Sequence, residues 1–261
     1  MKYGLANDSD ISRLKEIWKI VFDNEESLIN EIFEERWKID HCYVARDEKE
    51  GIVSVLHCLQ WSFSREMNTT PISYIIGATT LPEFRNRGYM DTLIRLAHDD
   101  EGKILVINPG IQNYFLRHGF YYTTSSVCYS FNGDVNGVIE DDKETDLSAI
   151  YINATVKIGA VDRDDYAWKL LRKHCKTVVV TEQGQSAYAL IIGDIAFETM
   201  CEGFKSARAL KEKLETLSIT QIWMHSSSTL SYLFDDTPAF LPMGMSNQKN
   251  ICSGLFIGQQ F

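Results

Sequence analysis

One stretch of the chain, from Ser73 to Ala97, restricts the fold more than any other. Its sequence, SYIIGATTLPEFRNRGYMDTLIRLA, changes from a strand-like apolar run to the spacing of an amphipathic helix. Pro82 cannot continue the hydrogen-bond ladder of a strand, and the helical spacing starts after Gly88. The stretch therefore predicts a strand, then a loop directed along a helix axis, then a helix.

The predicted loop has the properties of an anion site. A helix N-terminus presents free backbone N–H groups and the positive end of the helix dipole. Gly88 lacks a Cβ, so a ligand is able to approach the backbone closely, and Arg85 and Arg87 add positive charge. Together these features favour a phosphate ligand.

The strand before the loop contains an isolated glycine, Gly77, which is typical of a bulge. A bulged strand separates from its neighbour and leaves N–H and C=O groups for an extended, amide-bearing ligand. The pantetheine arm of coenzyme A is such a ligand, and in coenzyme A it is joined to a pyrophosphate. We therefore expect Ser73–Leu81 and Lys103–Ile107 to be adjacent parallel strands that diverge at their C-terminal ends.

Hydrophobic periodicity predicts the other elements of the first half, in the order ααβββαβαβ. The polar cluster Asn7–Asp10 is a natural N-cap for the first helix. The predicted elements are helices Ile11–Phe22 and Glu26–Trp37, a hairpin of strands His41–Arg46 and Val53–Phe63, strand Ser73–Leu81, a helix from Gly88, strand Lys103–Ile107, helix Ile111–Arg117 and strand Tyr121–Phe131.

A turn-rich stretch, Asn132–Asp146, predicts a linker between two domains, residues 1–135 and 147–261. The pattern beyond it partly repeats that of the first half, without sequence self-similarity strong enough to prove a duplication. The elements predicted there are strand Ile150–Ile158, helix Arg163–Lys173, strands Thr177–Thr181, Ala187–Ile192 and Ile195–Met200, helix Ser206–Leu217 and strand Thr220–Met224.

Composition excludes several classes of protein. The net charge of -10 at pH 7 argues against a nucleic-acid partner, which needs a basic surface. The six cysteines are scattered, with no CxxC pair and no histidine at zinc-ligand spacing, so we expect reduced thiols and no metal. The first residues lack the apolar core of a signal peptide, and no stretch approaches about 18 apolar residues. We expect a cytoplasmic protein with no membrane partner.

Two motifs carry a resemblance to a known family. The segment Arg85–Met90, RNRGYM, resembles the pyrophosphate loop Q/R-x-x-G-x-G/A of GNAT N-acetyltransferases, with Met90 at the usual small third position. The segment Asn108–Phe120 is similar to the family's second signature, an asparagine at a strand end followed by a short helix that closes in Gly-Phe. The resemblance implies an α/β (α+β) GNAT fold, a mixed central sheet with flanking helices, and acetyl-CoA as the acyl donor.

The resemblance also implies a set of residues that bind the acyl donor. They come from the end of the bulged strand, the loop, the start of the helix and the second signature. The predicted binding residues are Thr79, Leu81, Arg85, Asn86, Arg87, Gly88, Tyr89, Met90, Asn108 and Phe115.

Acetyl transfer to an amine needs a base that removes a proton and a donor that protonates the leaving thiolate. In many GNAT enzymes the donor is a tyrosine four residues before the glycine of Gly-Phe, and this chain has Phe115 there. Tyr114, the neighbour, is our candidate catalytic residue, although a packed aromatic is the simpler interpretation. Weaker alternatives for the donor are Tyr89, Tyr121 and Tyr122.

No base is identified. Glu83 follows a proline in a turn and is expected to be solvated. His57 lies mid-strand among apolar residues and is expected to be a core histidine, whereas His118 is expected to complement a helix dipole. Cys128 has no evident partner that would lower its pKa.

The two-part layout resembles the tandem arrangement of Eis-like acetyltransferases, in which an intact GNAT domain precedes a degenerate one. The segment Cys201–Lys205, where an intact copy would have its phosphate loop, lacks the motif. A further question is whether the carboxylate of Phe261 reaches the active site, as a terminal carboxylate does in Eis-like proteins.

The sequence thus favours an N-acetyltransferase that moves an acetyl group to a primary amine of a small molecule or a protein. The alternative is a catalytically silent acyl-CoA-binding or sensing module. Phe115 at the donor position supports the alternative, because binding needs only the loop and the diverging strand.

Overall fold

The computed structural model describes residues 1–22, 26–66, 68–102, 104–123, 126–241 and 244–249. The chain separates into two compact units. The first unit contains Met1–Ser62, Thr70–Phe120 and Ser246–Gln248. The second unit contains Phe63–Thr69 and Tyr121–Met245, with the residues from Lys249 onward.

The first unit is built on a mixed sheet whose strands are neighbours in chain order. Its strands are β1 (Lys2–Leu5), β2 (Cys42–Asp47), β3 (Gly51–Arg65), β4 (Asn68–Thr80) and β5 (Ile104–Ile107). The pairs β1/β2 and β2/β3 are antiparallel, and β4/β5 is parallel. The predicted hairpin and the predicted parallel pair are therefore both confirmed.

Helices flank this sheet. They are α1 (Ile11–Phe22), α2 (Glu26–Glu35), α3 (Tyr89–Glu101) and α4 (Gln112–Arg117). The predicted start of α1 is confirmed by a capping box before it, in which Asn7 accepts the N–H of Ser9 and Asp10 accepts the N–H of Asn7. Leu14 and Trp18 lie on the buried face of α1. That face packs with α2 in one apolar core against the sheet.

The rest of the chain contains the remaining helices and strands, and six of these strands form a second sheet. The remaining helices are α5 (Leu147–Thr155), α6 (Asp165–His174) and α7 (Phe204–Glu215). The remaining strands are β6 (Tyr121–Tyr122), β7 (Ser126–Ser130), β8 (Ala160–Val161), β9 (Lys176–Glu182), β10 (Gln185–Ile192), β11 (Ile195–Cys201), β12 (Gln221–His225), β13 (Ala239–Leu241) and β14 (Met245–Ser246). The second sheet has the strand order β13-β7-β12-β11-β10-β9.

The same sequence of elements occurs in both sheets. In the first, β2, β3 and β4 are neighbours, and α3 leads to β5, which is parallel to β4. In the second, β9, β10 and β11 are neighbours, and α7 leads to β12, which is parallel to β11. The predicted repetition of the pattern is therefore present in the strand topology.

Two predictions about elements are wrong. The segment Ile150–Ile158, predicted as a strand, lies largely in helix α5, because Asp146 caps the helix by accepting the N–H of Ser148 and because Leu147, Ile150 and Tyr151 bury one helical face. The predicted strand Tyr121–Phe131 is two strands, β6 and β7. Strand β7 pairs with β12 and β13 in the second sheet. The boundaries 1–135 and 147–261 stay a prediction.

None of the helices in the described part of the chain combines the length and the apolarity needed to cross a lipid bilayer.

Candidate functional site

The parallel strands β4 and β5 are paired over only part of β4, and we call the point where their pairing ends a fork. Their paired register runs from Ile72 with Ile104 to Ile75 with Ile107, where β5 ends. Strand β4 continues to Thr80. Among the described residues, no strand pairs with this last part of β4 on the β5 side. Strand β4 thus runs past the end of β5, and the expected divergence of the two strands stays a prediction.

Gly77 lies just beyond the fork and has a left-handed backbone, with φ +59°. A Cβ built on Gly77 would lie 2.2 Å from Cζ2 of Trp18, closer than side chains tolerate. Both the backbone conformation and the close approach of the indole ring therefore require glycine. The ring of Trp18 is a reason for glycine that the sequence did not reveal, and the bulge expected at Gly77 stays a prediction.

The loop after β4 leads directly into α3. Gly88 is the N-cap residue of α3 and also has a left-handed backbone, with φ +75°. No described side chain caps this end of the helix, and a Cβ at Gly88 would meet, among the described residues, only Oδ2 of Asp91 at 3.8 Å. The N-terminus of α3 is thus uncapped and the space at Gly88 is open, as an anion site requires.

The basic residues of the loop are exposed and tied to its backbone. Arg85 donates from Nε to the carbonyl oxygen of Thr80 at 3.1 Å, and Arg87 donates to the carbonyl oxygen of Glu83 at 2.7 Å. Asn86 between them has φ +61°, a conformation that asparagine tolerates better than most residues. These contacts hold two guanidinium groups beside the start of α3.

The other predicted binding residues of this region flank the loop. Thr79 and Leu81 are buried, and the carbonyl oxygen of Thr79 accepts the hydroxyl of Ser54 at 3.1 Å. Tyr89 and Met90 are partly buried in the first turn of α3. The structure therefore brings these residues together around one loop, and their contact with a ligand stays a prediction.

The second signature places Asn108 and Phe115 differently. Asn108 directly follows β5 at the fork, is partly exposed, and makes no side-chain hydrogen bond among the described residues. Phe115 is only 6% exposed and packs edge-to-face on Phe120, with ring centroids 5.3 Å apart. Asn108 is thus available to a ligand in the fork, whereas most of Phe115 is enclosed by protein.

Tyr114 lies beside the first turn of α3. Its hydroxyl donates a hydrogen bond to Oδ1 of Asp91, and Nε2 of His118 lies 3.1 Å from the same oxygen. Burial and this hydrogen bond to a carboxylate raise the pKa of the Tyr114 hydroxyl. Tyr114 therefore keeps its proton near neutral pH, and Asp91 and His118 form a polar cluster with it at the mouth of the loop.

Other residues weighed as acid or base differ in their surroundings. His57 is fully buried, its Nε2 accepts the N–H of Lys38 at 3.1 Å, and burial lowers its pKa to about 4. The prediction of a core histidine is confirmed. Glu83 is exposed, as expected. Burial raises the pKa of the Cys128 thiol, so no described group activates this thiol. The terminal residue Phe261 lies outside the described residues.

One buried carboxylate lies at the opposite end of α3. Glu101 accepts hydrogen bonds from His41, Tyr43, Gln60 and Ser73 at 2.6 to 3.0 Å. Burial acts to raise its pKa, but these hydrogen bonds together bring the pKa below its ordinary value. The cluster therefore anchors the C-terminal end of α3 to the sheet, which fixes the direction in which its N-terminus points.

In the second unit, the side chain of Gln185 occupies the space at the turn before α7. Gly203 precedes α7 with an extended backbone, and a Cβ there would lie 2.5 Å from the amide nitrogen of Gln185. The Oε1 atom of Gln185 accepts the N–H of Lys205 in the first turn at 3.1 Å. The carboxylate of Glu202 accepts the N–H of Ser186 at 2.6 Å. A side-chain amide and a carboxylate thus occupy this helix end.

Comparison with known proteins adds the family. Residues 2–103 match the family model described as an acetyltransferase (GNAT) domain. No curated protein matches the chain by sequence.

Several solved structures have the same fold over most of the chain. Eis1 from Mycobacterium abscessus is similar with a TM-score of 0.69 and 14% identity, covering 94% of this chain and 73% of that protein. A GCN5-related N-acetyltransferase from Kribbella flavida is similar with a TM-score of 0.68 and 12% identity, covering 94% and 71%. A GCN5-related N-acetyltransferase from Anabaena variabilis is similar with a TM-score of 0.65 and 14% identity, covering 94% of this chain and 72% of that protein. At these identities the likeness establishes the fold.

The matched segment contains β4, the loop and α3, so the family match and the fork describe the same part of the molecule. Residues 2–103 belong to the GNAT acetyltransferase domain family.

Proposed function

We propose that the protein transfers an acetyl group from acetyl-CoA to a primary amine of a small molecule or of a protein. The observation that carries the proposal is the fork between β4 and β5, followed by an uncapped helix N-terminus at Gly88. Pantetheine would pair with the free edge of β4, and the pyrophosphate would meet the first-turn amides of α3 and the guanidinium groups of Arg85 and Arg87.

The reaction makes one bond and breaks one. The amine nitrogen attacks the carbonyl carbon of the thioester, a C–N bond forms, and the C–S bond breaks with its electron pair leaving on sulfur. The amine gives up one proton, and the thiolate takes up one. We propose Tyr114 as the group that delivers the proton to sulfur, with Asp91 holding its hydroxyl in place and His118 holding Asp91.

The alternative of a silent acyl-CoA-binding module has one observation in its favour. Phe115 occupies the position of the family's usual donor and is buried, and the hydroxyl of Tyr114 is already engaged with Asp91. Binding of acyl-CoA would need neither residue.

We further propose that residues 1–135 supply the donor site and that residues 147–261 are a degenerate companion without a coenzyme A site. The described cysteines, Cys42, Cys58, Cys128, Cys175 and Cys201, are free thiols, which supports a cytoplasmic location. The proposal includes no nucleic-acid partner.

Thiol release from acetyl-CoA with a panel of amines tests the proposal. We expect amine-dependent release, and we expect Tyr114→Phe to lower kcat about a hundredfold while the Kd for coenzyme A changes less than about threefold. The control is Tyr3→Phe, at a tyrosine 40% exposed on β1. Tight coenzyme A binding without turnover of any amine would favour the silent module, and an unchanged kcat in Tyr114→Phe would remove its assigned role.

A further inference from the structure

The indole of Trp18 has a hydrogen-bond donor without an acceptor. Trp18 is 5% exposed, and its Nε1 is buried with no hydrogen-bond partner among the described residues. Buried donors in folded proteins are nearly always paired, because an unpaired one loses its hydrogen bond to water without replacement. The position of this N–H group therefore indicates where a partner is missing.

The unpaired nitrogen borders the fork. A Cβ built on Gly77 would lie 2.7 Å from Nε1 of Trp18 and 2.5 Å from Cε2, so this edge of the ring lies against the backbone of β4. Gly77 follows Ile75, the last residue of β4 that pairs with β5. The donor thus lies against the part of β4 that runs past the end of β5.

Two aromatic neighbours fix the ring of Trp18, and no described group accepts its N–H. Phe22 and Phe33 each contact it edge-to-face, with centroids 5.4 Å from that of Trp18. Aromatic contacts of this kind hold a ring in one orientation. An acceptor for the N–H group must then come from a bound molecule, and the apolar surroundings would strengthen the hydrogen bond.

We propose that Nε1–H of Trp18 donates a hydrogen bond to the carbonyl oxygen of the bound acyl thioester. The inference rests on the proposed function, because it assumes that pantetheine occupies the fork. The carbonyl oxygen becomes more negative as the amine attacks, and a fixed donor in an apolar site stabilises that charge. Trp18 would then favour the acylated form of coenzyme A over forms without the carbonyl.

A buried water molecule is the competing partner for this nitrogen. Such a water would satisfy the indole in the free protein as well as in every complex. It would give no reason for Trp18 to distinguish one coenzyme A derivative from another, and this difference makes the two explanations separable.

The test compares acetyl-CoA with S-ethyl-CoA, which lacks the carbonyl oxygen. We expect the parent protein to bind acetyl-CoA about three- to tenfold more tightly than S-ethyl-CoA, the size of one hydrogen bond. Trp18→Phe, which keeps an aromatic ring and removes the N–H, should bind both equally. With an amine acceptor, its kcat should fall about a hundredfold.

Trp37→Phe is the matched control. The Nε1 of Trp37 is also buried without a partner among the described residues, but its ring is stacked between Phe33 and His57. Removing this N–H should leave the preference for acetyl-CoA unchanged. Loss of the preference in Trp37→Phe, or its retention in Trp18→Phe, would overturn the assignment.

A second measurement uses the unaltered protein, in case Trp18→Phe does not fold. In ¹⁵N-labelled protein, the indole N–H resonance of Trp18 should move on addition of acetyl-CoA and move much less with S-ethyl-CoA. Equal shifts with both compounds would overturn the role of Trp18 and leave the proposed function standing. Failure of both compounds and of free coenzyme A to bind would overturn the proposed function and, with it, this inference.

Discussion

The two parallel forks of the molecule use the same topology in different ways. In the first unit, the pairing of β4 with β5 ends at Ile75, and β4 continues through Gly77 with no described strand on the β5 side. In the second unit, the register of β11 with β12 ends at Ala196. There the hydroxyl of Thr199 donates to the carbonyl oxygen of Trp223 at 3.1 Å across the two strands.

The N-termini of α3 and α7, the helices that follow β4 and β11, also differ. The first turn of α3 is uncapped and follows a glycine with φ +75° in open space. The first turn of α7 is met by the side chain of Gln185, and Glu202 precedes it with a negative charge. The second unit therefore satisfies its own polar groups at the positions where the first leaves them available. The same strand-loop-helix arrangement can thus leave its helix N-terminus open to a ligand or cover it with the protein's own side chains.

The largest expected effect on stability comes from Glu198, which lies on β11 beyond Ala196, the last residue paired with β12. Glu198 there forms a bidentate ion pair with Arg163 at 2.6 and 2.7 Å, with the two side chains 2% and 0% exposed, and also accepts the hydroxyl of Tyr188. Arg163→Met would leave a buried carboxylate without its cation. We expect a loss of about 3 to 5 kcal/mol in the free energy of unfolding, measured by denaturant titration.

The control for Arg163→Met is Arg13→Met, which removes a partly exposed ion pair with Glu16 and should cost less than about 1 kcal/mol. If the folded Arg163→Met protein also loses affinity for coenzyme A, the donor site does not belong to the first unit alone. Equal stability losses in the two variants would show that the buried ion pair contributes no more to stability than the exposed one.

The next prediction concerns the open helix end. Gly88→Glu places a side chain and a negative charge at the positive end of α3, so the affinity for coenzyme A should fall at least about tenfold, or about 1.4 kcal/mol. Because φ at Gly88 is +75°, the substitution also strains the backbone. Calorimetric titration with coenzyme A and thermal unfolding should be measured on the same preparation.

Gly51→Glu separates backbone strain from the effect of charge. Gly51 is the first residue of β3, directly after the turn from β2; it has φ +71°, is exposed, and has nothing within 4 Å of a Cβ. Both variants should lose similar stability, and only Gly88→Glu should lose affinity. If Gly88→Glu is folded and binds coenzyme A as tightly as the parent, the phosphate-loop assignment is wrong.

The smallest effect is expected at the filled helix end. Gln185→Ala removes the acceptor of the Lys205 N–H, which should lower the free energy of unfolding by about 1 kcal/mol. Coenzyme A should still bind at one site per chain, because Thr199 continues to span the second fork. A second equivalent site in the titration would contradict the degenerate character of Cys201–Lys205. The control Gln183→Ala removes an exposed contact and should change stability by less than about 0.5 kcal/mol.

The local features of the site were predictable from the sequence. Helix α1 has the predicted bounds Ile11–Phe22, and the strand, loop and helix around Gly88 follow from proline and glycine chemistry. Helix α5 was not predictable, because Ile150, Tyr151 and Ile152 favour a strand by local propensity. The helix forms because one of its faces is buried and because Asp146 caps its start. Local propensity does not contain that information.

The non-local features of the site could not be predicted. Trp18 has the spacing of an ordinary core residue, and nothing in the sequence places its indole against Gly77. Asp91 and His118 are likewise far apart in sequence, and only the fold brings them together with Tyr114. A single sequence gives the chemistry of each residue, whereas its partners depend on strand order and helix packing.

One small contact determines when the first unit is complete. Asn247 donates its N–H to the carbonyl oxygen of Leu105 and accepts the N–H of Leu105 on Oδ1, across 142 residues of chain. At the usual pace of translation those residues take roughly 7 to 28 s to synthesise. Until then these two groups of β5 are left without Asn247, and exposed strand edges of this kind recruit other chains. A ribosome making this protein therefore carries a nascent first unit that needs protection, and a fragment that ends at residue 135 keeps that edge exposed permanently.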